Sequence, residues 1–161
     1  MAKGVIESER DVRAAIRAVY GGDAMWVEAA RGGTAGAHDV VLHDGPATVC
    51  AELKAWRRGK DGAIVADLRS AQVRLHHVAA QRGWASILVF GVVGERGLWA
   101  LPSKHVPREV LSRLAEGVAV PVPVPDGTTT PEGHARAVRV ALRAVAASNG
   151  LADRAASGRA A

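Results

Sequence analysis

The segment from His38 to Trp56 has the sequence HDVVLHDGPATVCAELKAW and carries the strongest fold signal in the chain. Two apolar runs flank Asp44-Gly45, a dipeptide typical of tight β-hairpin turns. The returning run predicts a strand from Ala47 to Trp56, whose alternate residues face opposite sides of a sheet. One side would hold Val49, Ala51 and Leu53, and the other Thr48, Cys50, Glu52 and Lys54.

The hairpin also brings acidic and basic residues together. If Asp44-Gly45 is a two-residue turn, Asp39 lies opposite Cys50 and one diagonal step from Glu52. Asp39, Glu52 and Lys54 then share one face of the sheet. A three-residue turn that includes Pro46 would put Asp39 on the other face unless a β-bulge restores it.

The remaining sequence predicts an α/β layer, a mixed central sheet flanked by helices on both faces. A first helix is capped by Ser8, with Asp11 at the capping-box position, and ends at Gly21-Gly22. A second helix is capped by Ser70 and stops at Gly83. Short strands are expected at 25–27, 38–43, 63–65, 85–93 and 98–101, and further helices at 107–115 and 131–147.

Four regions are expected along the chain. Residues 1–117 form the core domain, and residues 118–130 form a linker or extended edge because valine alternates with proline there. Residues 131–150 contain a C-terminal helix that begins at Pro131. Residues 151–161 are small and polar, which predicts a disordered tail.

Composition limits the partners and the compartment. The 161 residues carry a formal net charge of +5, with a pI near 10.1, which suits a polyanion such as nucleic acid. A lone cysteine, Cys50, excludes an internal disulfide and a cysteine-rich zinc site. No apolar run reaches about 20 residues and the N-terminus lacks a signal-peptide core, so we expect a cytoplasmic protein without a membrane partner.

The acidic pair in the hairpin has the chemistry of a metal site. Mg²⁺ prefers carboxylate oxygens, which Asp39 and Glu52 supply, and the Leu53 carbonyl would add a third oxygen. Lys54 would orient a water or neutralise charge in a transition state. Two other interpretations stay open: a solvated face with surface ion pairs, and Asp44 rather than Asp39 as the first acid.

The chain resembles the PD-(D/E)xK nuclease superfamily over roughly residues 5 to 103. The matching features are Asp39, the strand motif Glu52-Leu53-Lys54, and an αβββαβ element order, the restriction-endonuclease-like core. Within the superfamily it is most similar to the VRR-NUC and Holliday-junction-resolvase-like branches. Those branches carry a glycine before the aspartate, here Gly36, a helix start such as Ser70-Ala71-Gln72, and a glutamate on the first helix, here Glu9.

The resemblance implies a set of site residues. The catalytic group would be Asp39, Glu52, Lys54 and Gln72. The Mg²⁺ or Mn²⁺ ligands would be Asp39, Glu52, the Leu53 carbonyl and Glu9. Gln72 is equally well explained as an ordinary polar residue of a first turn, and Glu9 as a residue that favours the helix dipole.

The resemblance therefore implies a Mg²⁺-dependent DNA endonuclease, encoded by a bacterium or a phage. Its substrate would be branched or structured DNA in recombination, repair or phage DNA metabolism. A junction resolvase cuts two symmetric strands, so that subclass predicts a homodimer. DNA phosphates would meet basic residues near the strand end and the second helix, which are Arg57, Arg58, Lys60, Arg69 and Arg74. Two alternatives stay open: a nuclease fold that binds nucleic acid without cutting it, and a non-nuclease α/β domain in which the motif occurs by chance.

Overall fold

The computed structural model describes residues 5–27, 37–108, 111–114, 117–123 and 129–149. Three helices are present in this part of the chain: α1 (Glu9–Tyr20), α2 (Ser70–Gln81) and α3 (Pro131–Ala147). The strands are β1 (Ala24–Trp26), β2 (Val40–Asp44), β3 (Ala47–Arg58), β4 (Ile64–Asp67), β5 (Ser86–Val92), β6 (Trp99–Pro102), β7 (Leu111–Arg113) and β8 (Val120–Pro121). Short 3₁₀ turns occupy Gly21–Asp23 and Ser103–His105. None of these helices is long and apolar enough to cross a membrane.

The strands form a mixed sheet in the order β1-β2-β3-β5-β6-β8, and β4 extends from the end of β3 and pairs with β7. β3 and β5 are parallel, whereas β1–β2, β2–β3, β5–β6 and β6–β8 are antiparallel. α2 lies in the connection between the parallel strands, because a parallel pair requires a crossover. The predicted α/β class is thus confirmed.

Each face of the sheet has its own apolar cluster. Val12 and Ile16 of α1 and Leu142 of α3 pack with Ala51 and Leu53 on one face. Val73 of α2 lies on the other face with Trp56, Leu88 and Phe90. Helices therefore cover both faces, and successive residues of β3 contribute to opposite layers, as the alternation predicted.

The hairpin turn differs from the expected one. Asp44 pairs with Ala47, so the turn residues are Gly45 and Pro46 rather than Asp44-Gly45. Gly45 adopts a φ of 61°, which a turn of the II′ kind requires at its first central position, and proline supplies the negative φ that follows. The pairing shifts by two residues, which preserves the face of every side chain.

Two expectations about helices were wrong. Arg69 rather than Ser70 precedes α2, because Gln72 accepts the Arg69 N–H through Oε1 at 3.0 Å and thereby caps the first turn. The helix expected at 107–115 is replaced by strand β7, which pairs antiparallel with β4. Strand pairing with an otherwise open edge overrides the local helical pattern there.

Other expectations agree with the structure. The Ser8 N–H donates to Asp11 Oδ2 at 2.8 Å, which is the predicted capping box of α1. Part of the Val/Pro segment forms β8, an edge strand paired with β6. The predicted loop glycine Gly36 and the tail 151–161 lie outside the described residues.

Candidate active site

The candidate site lies where β3 extends beyond its neighbour β2. The last β3 residue paired with β2 is Ala51, which lies opposite Val40. Two residues further on, the Leu53 N–H donates to the side chain of Asp39 instead, with Leu53 N and Asp39 Oδ2 separated by 2.8 Å. The Asp39 carboxylate therefore completes the hydrogen bonding of β3 at the point where the ladder ends.

Arg13 of α1 binds the second oxygen of Asp39. Its Nη2 lies 2.8 Å from Asp39 Oδ1 and 3.2 Å from Glu9 Oε1, one helical turn earlier. Sequence reasoning missed Arg13, although its spacing of four residues from Glu9 on one helix was a readable signal. The Arg13 guanidinium therefore bridges Glu9 and Asp39.

Glu52 is the most deeply buried carboxylate of the site, with 1% of its surface exposed. Lys54 Nζ lies 2.9 Å from Glu52 Oε1. Gln72 donates its Nε2–H to the same oxygen from the first turn of α2. The structure thus joins Glu52, Lys54 and Gln72, which the sequence placed on two separate elements.

Burial raises the pKa of Glu52 from an ordinary value of 4.5 to about 7. The Lys54 ammonium opposes this rise, whereas the neighbouring Asp39 carboxyl adds to it. The Asp39 carboxyl therefore lies near enough to Glu52 to affect its pKa. Two adjacent carboxyl groups out of water hold a proton more readily, unless a cation compensates their charge.

Glu9 lies beside the site but is held by basic side chains. Its Oε2 is 3.7 Å from Lys54 Nζ, and its Oε1 contacts Arg13. Across the described ranges, no group of three or more histidine, cysteine, aspartate or glutamate side chains could hold a metal ion. A divalent cation would therefore depend on Asp39, Glu52, the Leu53 carbonyl and water molecules.

Asp44 is the last residue of β2, next to the hairpin turn. Its Oδ2 is 3.1 Å from Arg143 Nη1 of α3. The charge of Asp44 also raises the pKa of Tyr20, after the larger effect of burial. The geometry therefore separates the two competing acids, and only Asp39 adjoins Glu52.

The predicted DNA-binding residues lie at the end of β3, in the loop that follows it, and at or near the start of α2. Arg57, Lys60, Arg69 and Arg74 are exposed. Arg58 binds Glu95, with Nε 2.5 Å from Oε1, and donates to the Gly62 carbonyl at 2.7 Å. Among the described residues, none of these five cations forms a hydrogen bond or ion pair with Asp39, Glu52 or Lys54.

Arg74 lines a groove on the outer side of α2. The groove has a volume of about 340 Å³ and runs from Ser70 at the start of the helix to Gln81 at its end. Arg108, which sequence analysis did not select, lies on its other wall, and His77 also lines it. The charged groups of this groove are basic, which suits a phosphate backbone.

A buried polar chain below the carboxylates was also missed. His38 Nε2 lies 2.6 Å from Ser86 Oγ, and His76 Nδ1 lies 2.8 Å from Ser103 Oγ. Burial lowers the pKa of His38 to about 4 and that of His76 to about 3, so both rings are neutral. The His76-His77 pair gave no ligand spacing in the sequence, and serines distant in the chain gave no signal.

No protein-family model matches this chain, and no curated protein matches it as a relative.

Proposed function

We propose that this protein is a metal-dependent DNA endonuclease, and that Asp39, Glu52 and Lys54 form its catalytic centre. The observation that carries the proposal is the convergence of these groups: Lys54 Nζ lies 2.9 Å from Glu52 Oε1, and the Asp39 carboxylate accepts the N–H of the next residue, Leu53, at 2.8 Å. The alternative of a solvated face with surface ion pairs does not fit Glu52, because this carboxylate is only 1% exposed. The buried position of Glu52 therefore favours a functional site.

The donor set fits Mg²⁺ or Mn²⁺. The Asp39 and Glu52 carboxyls provide hard oxygen ligands. The pKa of Glu52 is raised first by burial and then by the Asp39 charge, and a bound cation would oppose both effects. When bound, such an ion polarises the scissile phosphate and lowers the pKa of a bound water. Leu53 would contribute its carbonyl, and waters would complete the shell.

The residues of the chain itself supply positioning and charge. Lys54 is 16% exposed, so its ammonium lies at the boundary between the buried acid and solvent. There it can hydrogen-bond an attacking water or stabilise charge that develops on a phosphate. Gln72 holds Glu52 from the side of α2, and Arg13 holds Asp39 from the side of α1.

The net charge and the groove along α2 support a nucleic-acid substrate. Arg74 and Arg108 would contact phosphates of a strand that passes the helix, and Arg57, Lys60 and Arg69 are exposed for further contacts. Branched or structured DNA is the substrate class that the nuclease resemblance implies. A homodimer is proposed with it, because a junction presents two equivalent strands.

A second candidate function has an observation in its favour. Arg13, Lys54 and Gln72 already bind the carboxylates, and the described residues provide no third acidic, cysteine or histidine ligand. A domain that binds nucleic acid without cleaving it would need no metal. This alternative predicts DNA affinity that is independent of divalent cations.

The test is cleavage of labelled four-way junction, flap, single-stranded and linear duplex DNA with Mg²⁺, Mn²⁺ or EDTA. Glu52→Gln and Lys54→Met should each lower the cleavage rate by about 10³-fold, as expected for removal of a group that stabilises the transition state. Asp44→Asn is the matched control, because this acid contacts Arg143 of α3 rather than Glu52 or Lys54 and should leave the rate unchanged.

Two results would overturn the endonuclease. One is cleavage that persists in both variants. The other is no cleavage of any substrate by the wild type, with salt-dependent DNA binding that Glu52→Gln and Lys54→Met do not alter. The second result would support the binding domain instead.

A further inference from the structure

A continuous chain of hydrogen bonds lies beside the candidate site. It runs from His76 Nδ1 to Ser103 Oγ, from Ser103 Oγ to Ser86 Oγ at 2.8 Å, and from Ser86 Oγ to His38 Nε2. Ser86, Ser103 and His76 have no exposed surface. These groups come from α2, from the 3₁₀ turn after β6, from the start of β5 and from the segment before β2.

The donors and acceptors in this series of hydrogen bonds can be assigned. Each hydroxyl carries one hydrogen, so the three links need one further hydrogen, which comes from one of the two imidazoles. His76 Nε2 is buried and has no hydrogen-bond partner among the described residues. An unpaired acceptor is less unusual in a protein interior than an unpaired N–H, so His76 donates from Nδ1 and His38 accepts at Nε2.

The two ends of the chain adjoin the catalytic centre. His38 directly precedes Asp39 in the sequence, and His76 follows Gln72 by one helical turn on α2. Ser86 is one of the two hydroxyl residues between the histidines. In the parallel β3–β5 pair it lies opposite Cys50, two residues before Glu52. The chain therefore joins the two segments that hold the carboxylates to one point of the sheet.

We propose that His76, Ser103 and Ser86 are positioning residues that act through His38 to hold the Asp39 carboxylate on the Leu53 N–H. A buried polar chain is not needed for packing, because apolar groups of similar shape can replace such a chain at little cost in stability. Its link to the residue before Asp39 gives it a specific role. The expected effect on cleavage rests on the proposed nuclease function, whereas the expected effect on the hydrogen bond between Asp39 and Leu53 does not.

The test uses Ser103→Ala, which removes the central hydroxyl. The Leu53 amide proton should exchange with solvent about tenfold faster, because its bond to the Asp39 carboxylate is weakened, and its NMR resonance should move upfield. Ser103→Thr retains a hydroxyl and should restore the wild-type behaviour. If Ser103→Ala does not fold, Ser86→Ala breaks the same chain and should give the same result.

Asn149→Ala is the matched control for lost buried hydrogen bonds. The Asn149 side chain is buried and donates to the backbone carbonyls of Ser86 at 2.6 Å and Trp84 at 3.1 Å, outside the hydroxyl chain. It should lower stability without changing the Leu53 amide. An unchanged Leu53 amide in Ser103→Ala and Ser86→Ala, or an equal change in Asn149→Ala, would overturn the proposal.

Cleavage kinetics give a second readout. Ser103→Ala should lower kcat about 10–100-fold, the range found for outer partners of metal ligands, with little change in KM. If the wild type cleaves no DNA, the nuclease proposal fails, but the Leu53 amide still decides the positioning proposal. If the wild type cleaves and Ser103→Ala keeps its kcat, the positioning proposal fails and the nuclease stands.

Discussion

The two faces of β3 differ in kind although their residues alternate along one strand. Val49, Ala51 and Leu53 are buried against α1 and α3 in an apolar layer. On the α2 side, Glu52 is equally buried, but its partners are an ammonium and a carboxamide. The first face is stabilised by burial alone. The second face keeps a buried acid that stability does not require, and the proposed catalytic centre lies on this face.

The largest expected effect comes from the apolar face. Leu53→Ala should lower the free energy of unfolding by about 2–5 kcal/mol, because it leaves a cavity at a fully buried position. Urea denaturation measures this change. Thr48→Ala, at an exposed position of the same strand, should stay within about 0.5 kcal/mol of wild type. Equal losses in the two variants would contradict the division between the faces.

On the face of β3 that carries Glu52, substitution should raise the stability of the protein at high pH rather than lower it. Since the pKa of Glu52 rises from 4.5 to about 7 on folding, the folded state binds more protons than the unfolded state between these pH values. Stability should therefore fall as the pH rises through this window. In EDTA, Glu52→Gln should remove this loss and stabilise the protein at pH 8 by on the order of 2–3 kcal/mol.

Thermal unfolding of wild type and Glu52→Gln from pH 4 to pH 8 checks this prediction. The two curves should coincide near pH 4, diverge between about pH 4.5 and pH 7, and run parallel above pH 7, with the variant more stable. A wild type whose stability rises between pH 5 and pH 7 relative to the variant would contradict a buried, protonated Glu52.

Divalent cations should reverse the effect of pH. At pH 8, Mg²⁺ at about 100 times its dissociation constant should stabilise the wild type by about 2.7 kcal/mol through binding to the folded state. Glu52→Gln should gain less, because it lacks one of the two carboxylates. The measurement is the midpoint of thermal unfolding against Mg²⁺ concentration, and equal shifts in both proteins would argue against a site at Glu52.

The smallest expected effect concerns Asp44. This acid contacts Arg143, whose side chain is nearly half exposed, so Asp44→Asn should cost less than about 1 kcal/mol. Its DNA affinity should equal that of wild type at each salt concentration. A variant that lost affinity or more than about 2 kcal/mol would place Asp44 in a role that its contacts do not suggest.

The local pattern of the sequence was enough to predict the central features. The alternation along β3 correctly placed Leu53 and Glu52 on different faces, because successive side chains of a strand point to opposite sides of the sheet. The hairpin pattern also predicted that Asp39 lies near Glu52, and the structure places its carboxylate on the N–H of Leu53, although the turn is Gly45-Pro46. The strand at 111–113 could not be predicted locally, because β4 provides its pairing partner.

The missed site residues have the same explanation. Arg13 lies 26 positions before Asp39, and Ser103 lies 27 positions after His76. Only the folded sheet brings such groups within hydrogen-bonding distance. The spacing of Arg13 from Glu9 on α1 was a local signal, but a single sequence carries none for the long-range contacts of Arg13 with Asp39 and of His76 with Ser103.

Gln72 has a consequence for how the site keeps its shape. Its Oε1 accepts the Arg69 N–H, so its nitrogen must face Glu52. A flipped amide would set two donors against each other at the helix start and two oxygens against each other at the acid. The free backbone amide that begins α2 thus determines which end of the carboxamide meets Glu52. The capping of α2 by Gln72 thereby fixes a hydrogen-bond donor against the buried Glu52.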